Sequence, residues 1–472
     1  MAPRWALMEC IALVLVVVAG IAAGRRTILQ VYLPSYTSLT IANIDASNID
    51  VIAYSFATVT SGGLCALVNS KDSKNLPALL QLKTKFPHLR TTLSIGGADV
   101  AAPFQAAAAT NASRTRFAAS CASLAANYSF DGLDVDWEVP VQSDATTYPL
   151  LVAALRAALP PGSLLTTASN TGNALQFQMA AAVAPVVDWI NIMGYPYTGS
   201  WETNPITKHA SPLFPSKSQP KTAGAGVLSY LAAGVPAGQL VLGVPFYGFQ
   251  RTGVASTRNL TGIQATGLFV SAAASPYYQL KTPQIQSLFS ADKNWTVYWD
   301  ATANATYAYN PVQASFITYE STRSLAVKAQ YVGARGLLGM MVWELSQDDS
   351  SNTLLNAIVT APPNHKVEAD QQWTCPEDVN VPNEDKTSII EAAEEQQLPT
   401  KPFAYEEGEQ IQHEGCQPTV AVTCVQAQCD VQTGQHQAGA EGIQLPSRDT
   451  TPVDTNAPTY ALARKDLEHQ AG

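Results

Sequence analysis

Residues Phe130 to Pro140 read FDGLDVDWEVP. On an extended strand successive side chains alternate between faces, so Asp134, Asp136 and Glu138 share one face while Leu133, Val135 and Trp137 share the other. That pattern suits one strand of a closed barrel of parallel strands. The apolar set packs beneath outer helices and the acidic set points at the barrel axis. Glu138 then stands at the C-terminal end of the strand, where such barrels build their active sites. Asp131 falls on the opposite parity and is assigned a structural role.

The rest of the chain fits the same plan. Apolar runs rich in Val, Ile and Tyr recur at Ile28–Leu33, Asp50–Thr58, Thr91–Ile95, Gly132–Glu138, Leu164–Ala168, Val187–Tyr195, Gln239–Phe246 and Gly336–Trp343. Strands buried on both faces read as near-continuous apolar runs, and these do. Ala-rich helical stretches such as Thr115–Asn127 and Tyr148–Leu159 lie between them. Eight strands alternating with helices predict an α/β TIM (β/α)8 barrel. About 90 residues separate the seventh and eighth runs, which leaves room for a small α+β insertion over about 250–320.

The two ends differ from the middle. Residues 1–24 carry Arg4, the apolar run Cys10–Ala19 and the small residues Gly20–Gly24. This predicts a secretory signal peptide, with an uncleaved anchor as the alternative. The catalytic domain is placed at 25–361. Residues 362–472 are rich in Gln, Glu, Asp, Pro and Thr without periodicity, and predict a largely disordered tail. A carbohydrate-binding module there would rest only on Trp373, Phe403 and Tyr405. Export to an oxidising compartment suits the even set Cys65, Cys121, Cys375, Cys416, Cys424 and Cys429, and Cys65 is expected to pair with Cys121. Glycosylation sequons stand at Asn111, Asn127, Asn259, Asn294 and Asn304. The formal net charge of -10 over 472 residues argues against nucleic acid and not against a neutral polysaccharide.

Three carboxylates in line inside a barrel cannot all ionise comfortably, so at least one pKa rises. A Glu kept protonated near neutral pH can serve as a general acid. Carboxylates at alternate positions could also bind Ca²⁺ or Mg²⁺. A calcium site wants irregular backbone with carbonyl ligands, which a buried strand does not offer. The expected site therefore holds no metal, and no cofactor is called for.

The segment 130–140 resembles the DGxDxDxE signature of glycoside hydrolase family 18, the chitinase family with a TIM barrel. Ser94–Gly97 (SIGG), Met193–Tyr195 (MGY), Gly243–Gly248 (GVPFYG), Ser324–Gln330 (SLAVKAQ) and Gly339–Leu345 (GMMVWEL) resemble further family motifs in the same order, and the match spans about 27–358. The resemblance implies hydrolysis of β-1,4-N-acetylglucosamine linkages with substrate assistance and retention. Glu138 would protonate the leaving oxygen. Asp136 would hold the acetamido nitrogen and share a proton with Asp134. Tyr195 would bond the acetamido oxygen. Trp343 would form the floor under the sugar, since a Trp face stacks on a pyranose ring. Met193 and Tyr247 could line the same pocket. Ser94 would bond the carboxylate row, and Gly96 and Gly97 would leave room near the sugar. The implied partner is chitin or its oligomers, met by a secreted, extracellular monomer with no membrane attachment after signal cleavage.

Three departures stand out. Pro196 occupies the place of the family's usual Asp, which commonly contacts the sugar at the cleavage point. Val139 replaces a frequent Tyr. The first strand lacks the usual Gly-Tyr pair, so no residue is carried over there. Alternatives are an endo-β-N-acetylglucosaminidase acting on N-glycans and a lectin-like chitin binder, the latter disfavoured because Glu138 is present.

Overall fold

The computed structural model describes residues 27–361 apart from 99, 202–206, 217–218 and 255–277. The signal segment 1–24, the sequon at Asn259, the tail and its cysteines therefore lie outside the described residues. Eight parallel strands form the barrel: β1 (Ile28–Pro34), β2 (Val51–Val59), β4 (Arg90–Gly97), β5 (Gly132–Trp137), β6 (Leu164–Asn170), β7 (Trp189–Met193), β8 (Leu240–Pro245) and β14 (Gly339–Trp343). β1 pairs with both β14 and β2, which closes the sheet. A short antiparallel strand β3 (Cys65–Ala66) extends β2 and was not expected.

The outer helices include α1 (Asp72–Lys85), α2 (Ala101–Ala108), α3 (Asn111–Asn127), α4 (Thr147–Ala158), α5 (Ala174–Val183) and α6 (Ala223–Ala232). Side chains start several of them cleanly. Thr110 and Ser113 form a reciprocal cap on α3, Asn173 caps α5, and Thr222 caps α6. Each such cap is worth ~1 kcal/mol. The apolar face of β5 behaves as its parity demands. Trp137 stacks on Phe104 of α2 at 5.0 Å between ring centroids and meets the edge of Tyr148 of α4 at 5.8 Å. Asp131 sits below the strand, where its carboxylate accepts from the Thr91 backbone N–H at 2.7 Å and pairs with Lys83 at 2.8 Å.

The insertion between β8 and β14 is a five-stranded antiparallel sheet with one helix. Its strands are β9 (Tyr247–Arg251), β10 (Tyr278–Lys281), β11 (Thr296–Asp300), β12 (Ala305–Asn310) and β13 (Ser315–Tyr319), ordered β10-β9-β13-β12-β11, and α7 (Thr282–Ala291) follows β10. It has its own buried core, with Ile285, Trp295, Ala308 and Ile317 on one side and Tyr247, Phe249, Tyr307, Tyr309 and Phe316 on the other. The chain returns through α8 (Thr322–Ala334) to β14 and ends its described part in α9 (Thr353–Val359).

Cys65 and Cys121 are buried free thiols. They lie against each other, and burial followed by the contact with Cys65 pushes the Cys121 thiol well up. The expected pair is thus brought together, as two thiols rather than as a disulfide.

Candidate active site

The acidic row of β5 faces the barrel axis. Register fixes its neighbours, with Ser94 of β4 beside Asp134, Gly96 beside Asp136, and Thr166 of β6 on the other flank of Asp134. Asp134 is fully buried. Its Oδ2 accepts from Tyr32 Oη at 2.7 Å and Ser94 Oγ at 2.7 Å, and its Oδ1 accepts from Thr166 Oγ1 at 2.5 Å and Asn191 Nδ2 at 3.3 Å. Four donors use all the acceptor sites a carboxylate has. Burial pushes the Asp134 carboxyl above its ordinary value, and the bonds from Thr166, Ser94, Tyr32 and Asn191 pull it back.

Asp136 has no such support. It is buried, and its Oδ1 lacks a hydrogen-bond partner among the described residues. Burial, then the charges of Glu138 and Asp134, drive its carboxyl well above the usual range. Of these two carboxyls Asp136 is the one driven further toward the protonated form, while the four donors favour charge on Asp134. Asp136 and Asp134 are coupled through charge, and the lone pairs of Asp134 are taken by its four donors.

Glu138 follows the last residue of β5 and is half-buried at the mouth of a cavity of about 490 Å³. The cavity is lined by Asp136, Glu138, Met193, Tyr195, Pro196, Tyr247 and Trp343, so most of the residues singled out in the sequence converge on it. Trp343 stacks on Phe56 at 5.6 Å and leans on Tyr32 at 5.4 Å, which fixes its ring as a wall of the cavity. Tyr195 stands just beyond β7, edge-on to Tyr247 at 6.2 Å. Its hydroxyl donates to the thioether of Met341 at 3.4 Å. Sulfur is a weak acceptor, so this bond is readily exchanged for one to a carbonyl oxygen. Burial, then Tyr247 and the acidic row, raise the Tyr195 phenol well above its ordinary value, so it stays a donor across the working pH range.

Behind Tyr195 the backbone is held from the far side. Ser211 Oγ donates to the Gly194 carbonyl at 2.9 Å, and the fully buried Lys328 of α8 donates to both the carbonyl (2.6 Å) and the hydroxyl (2.8 Å) of Ser211 while pairing with Glu320.

Ser94 bonds the carboxylate row as expected, through Asp134, and does not line the cavity. Two other residues expected near the sugar have a different duty. Gly96 and Gly97 do not open space for a sugar. A Cβ at Gly96 would lie 2.0 Å from the Asp136 carbonyl and one at Gly97 would lie 2.8 Å from the Phe56 ring, with φ of +121° and +90°. Their glycines permit close packing of β4 on β5 and on Phe56. Sequence reasoning missed Tyr32, Thr166 and Asn191, which hold Asp134, and Phe56, Tyr36, Asn170 and Met341, which line the cavity. For Asn191 the signal was a polar residue within the otherwise apolar strand β7, whereas β6 also carries Thr167, Ser169 and Asn170 and gave no such signal for Thr166.

The sequence profile of glycosyl hydrolases family 18 matches residues 28–348. The chain belongs to that family. Chitinase A1 of Niallia circulans is 35% identical over 319 residues, which cover 60% of this chain and 44% of that protein. This chain thus spans less than half the length of that relative. Among solved structures, a chitinase from Rhizomucor miehei is similar at 27% identity and a TM-score of 0.62, covering 71% of this chain and 99% of its own. A chitinase-like agglutinin from Robinia pseudoacacia is similar at 26% identity and a TM-score of 0.62, covering 71% of this chain and 99% of its own. The family 18 fold is thus shared by proteins named for hydrolysis and for agglutination.

Proposed function

We propose that this chain is a chitinase that hydrolyses β-1,4-N-acetylglucosamine linkages by substrate assistance with retention. The observation that carries the reading is Glu138 lining the cavity together with the buried Asp136, whose Oδ1 has no partner among the described residues. In the first step the proton held at Asp136 passes to Glu138, the glycosidic C–O bond breaks and its oxygen takes that proton from Glu138, which leaves Asp136 ionised. The acetamido oxygen of the same sugar forms the new bond to the anomeric carbon from the opposite face. Positive charge spreads onto the acetamido nitrogen, whose N–H donates to Asp136. Tyr195 turns from the Met341 sulfur to the acetamido oxygen and holds it in line, a positioning effect. In the second step the Glu138 carboxylate takes a proton from water, that water attacks the anomeric carbon, the bond from that carbon to the acetamido oxygen breaks, and the β configuration is restored.

The reading separates from its alternatives by one assay. The protein should release short oligomers from colloidal chitin and leave a high-mannose glycoprotein intact. Release of the glycan would favour the endo-β-N-acetylglucosaminidase, and binding of chitin without any product would favour the lectin-like protein. We further propose that residues 1–24 direct export, that the mature protein works outside the cell as a monomer, and that 25–361 carries the activity.

Pro196 brings an apolar ring to the cavity where relatives usually carry Asp. The acidic row and Tyr195 remain, so chemistry persists at reduced rate. Pro196→Asp should raise kcat roughly tenfold, the worth of one hydrogen bond to a charged group at the low end of its range. Steady-state rates on a soluble chitin oligomer check this; an unchanged or lower rate would mean the pocket has adapted around Pro196.

A further inference from the structure

The cavity contains one group that the mechanism above leaves unused. Asn170 closes β6 and sits beside Met193 in register, and both line the cavity together with Pro196. Its amide orientation is fixed. The Gly172 backbone N–H lies 2.8 Å from Asn170 Oδ1, and a backbone N–H can only donate. The oxygen is therefore the acceptor, and the NH2 group is turned the other way. Glycine at 172 permits this approach, since a Cβ there would come within 2.9 Å of the same oxygen. The backbone is held too, because the buried Tyr230 hydroxyl donates to the Asn170 carbonyl at 2.5 Å and contacts Ser169 Oγ at 2.6 Å. Among the described residues none accepts a hydrogen bond from Asn170 Nδ2. The amide is thus a rigid donor without a protein acceptor.

The other polar groups lining the cavity are carboxyls, phenols and the Trp343 indole N–H, and Asn170 is the one amide among the described lining residues. We propose that Asn170 is a specificity-determining residue that donates its amide N–H to an oxygen of a bound N-acetylhexosamine. It supplies a polar contact on the wall where Pro196 offers none. The acceptor class is a pyranose hydroxyl or the acetamido carbonyl, both of which an amide donor recognises without titrating. The assignment rests on the chitin reading proposed above.

Asn170→Asp is the sharper test. It keeps an acceptor for the Gly172 N–H and so keeps the turn, but it removes both donors. Asn170→Ala removes the whole group. With a soluble chitin tetramer, each variant should raise KM about 3–10-fold, the worth of one hydrogen bond between neutral groups. The kcat values, compared at each variant's own pH optimum, should stay within about twofold of the wild type, and the melting temperature of the Asp variant should hold. A purely structural role would instead lower kcat and the melting temperature together. Tetramer binding to Glu138→Gln and to Glu138→Gln/Asn170→Asp is measured in parallel by calorimetry. Unchanged KM and unchanged affinity in the Asn170 variants of a protein that does cleave the tetramer overturn the assignment alone. A wild-type protein that neither binds nor cleaves the tetramer overturns the chitin reading, and this assignment with it.

Discussion

Glu138→Gln lowers kcat on a chitin oligomer by on the order of 10²–10⁴-fold, the usual worth of general acid–base catalysis. The expectation follows from position. Glu138 is the member of the row that reaches the cavity mouth, while Asp134 is sealed below with its four donors. The amide preserves shape and can still hydrogen bond, but it has no proton to give the leaving oxygen. Oligomer affinity should therefore survive, and the variant should behave as a chitin-binding protein. Calorimetry beside initial rates checks both halves. Activity within a few fold of the wild type would remove Glu138 from the acid's role.

Asp136→Asn should cost on the order of 10²–10³-fold in kcat, the range for losing one electrostatic stabiliser of a transition state. The same substitution should stabilise the fold. Burial and the charges of Glu138 and Asp134 hold the native Asp136 pKa well above the ordinary value that the unfolded chain shows. The native state therefore binds the extra proton between those two values. The stability contributed by this group is full below the unfolded pKa and is lost as pH rises through the native one. Above that window an ionised Asp136 weighs against folding, whereas Asn never ionises. The melting temperature of Asp136→Asn should exceed that of the wild type by a margin that grows from acid to alkaline pH. Thermal scans across pH test this, and a constant or shrinking margin would contradict the placement of the proton on Asp136.

The barrel was legible in the sequence because strands buried on both faces read as unbroken apolar runs. Each of the eight runs became a strand with boundaries shifted by a few residues. β3 was not legible, since a two-residue strand has no period to read. In the site, the row on β5 could be read from parity within one strand. The groups that support it could not. Tyr32, Thr166 and Asn191 reach Asp134 from β1, β6 and β7, and strand register decides which residues are neighbours. Before register is known, Thr166 and Thr167 are indistinguishable, yet only Thr166 meets the carboxylate. Gly96 was misread for a related reason, because what crowds it is the backbone of the adjoining strand rather than a ligand. The meaning of Asn170 likewise depends on the turn to Gly172, which sets the amide's direction.

The central claim is that the nucleophile belongs to the substrate. It is tested most directly by NMR of the first-formed anomer from a chitin oligomer, run beside a fully deacetylated oligomer of the same length. Attack by the acetamido oxygen followed by water inverts the anomeric carbon twice. The first product should therefore be the β anomer, and the deacetylated chain, which has no acetamido oxygen, should be refused by the intact enzyme. An initial α anomer, or equal cleavage of the deacetylated chain, would contradict the account.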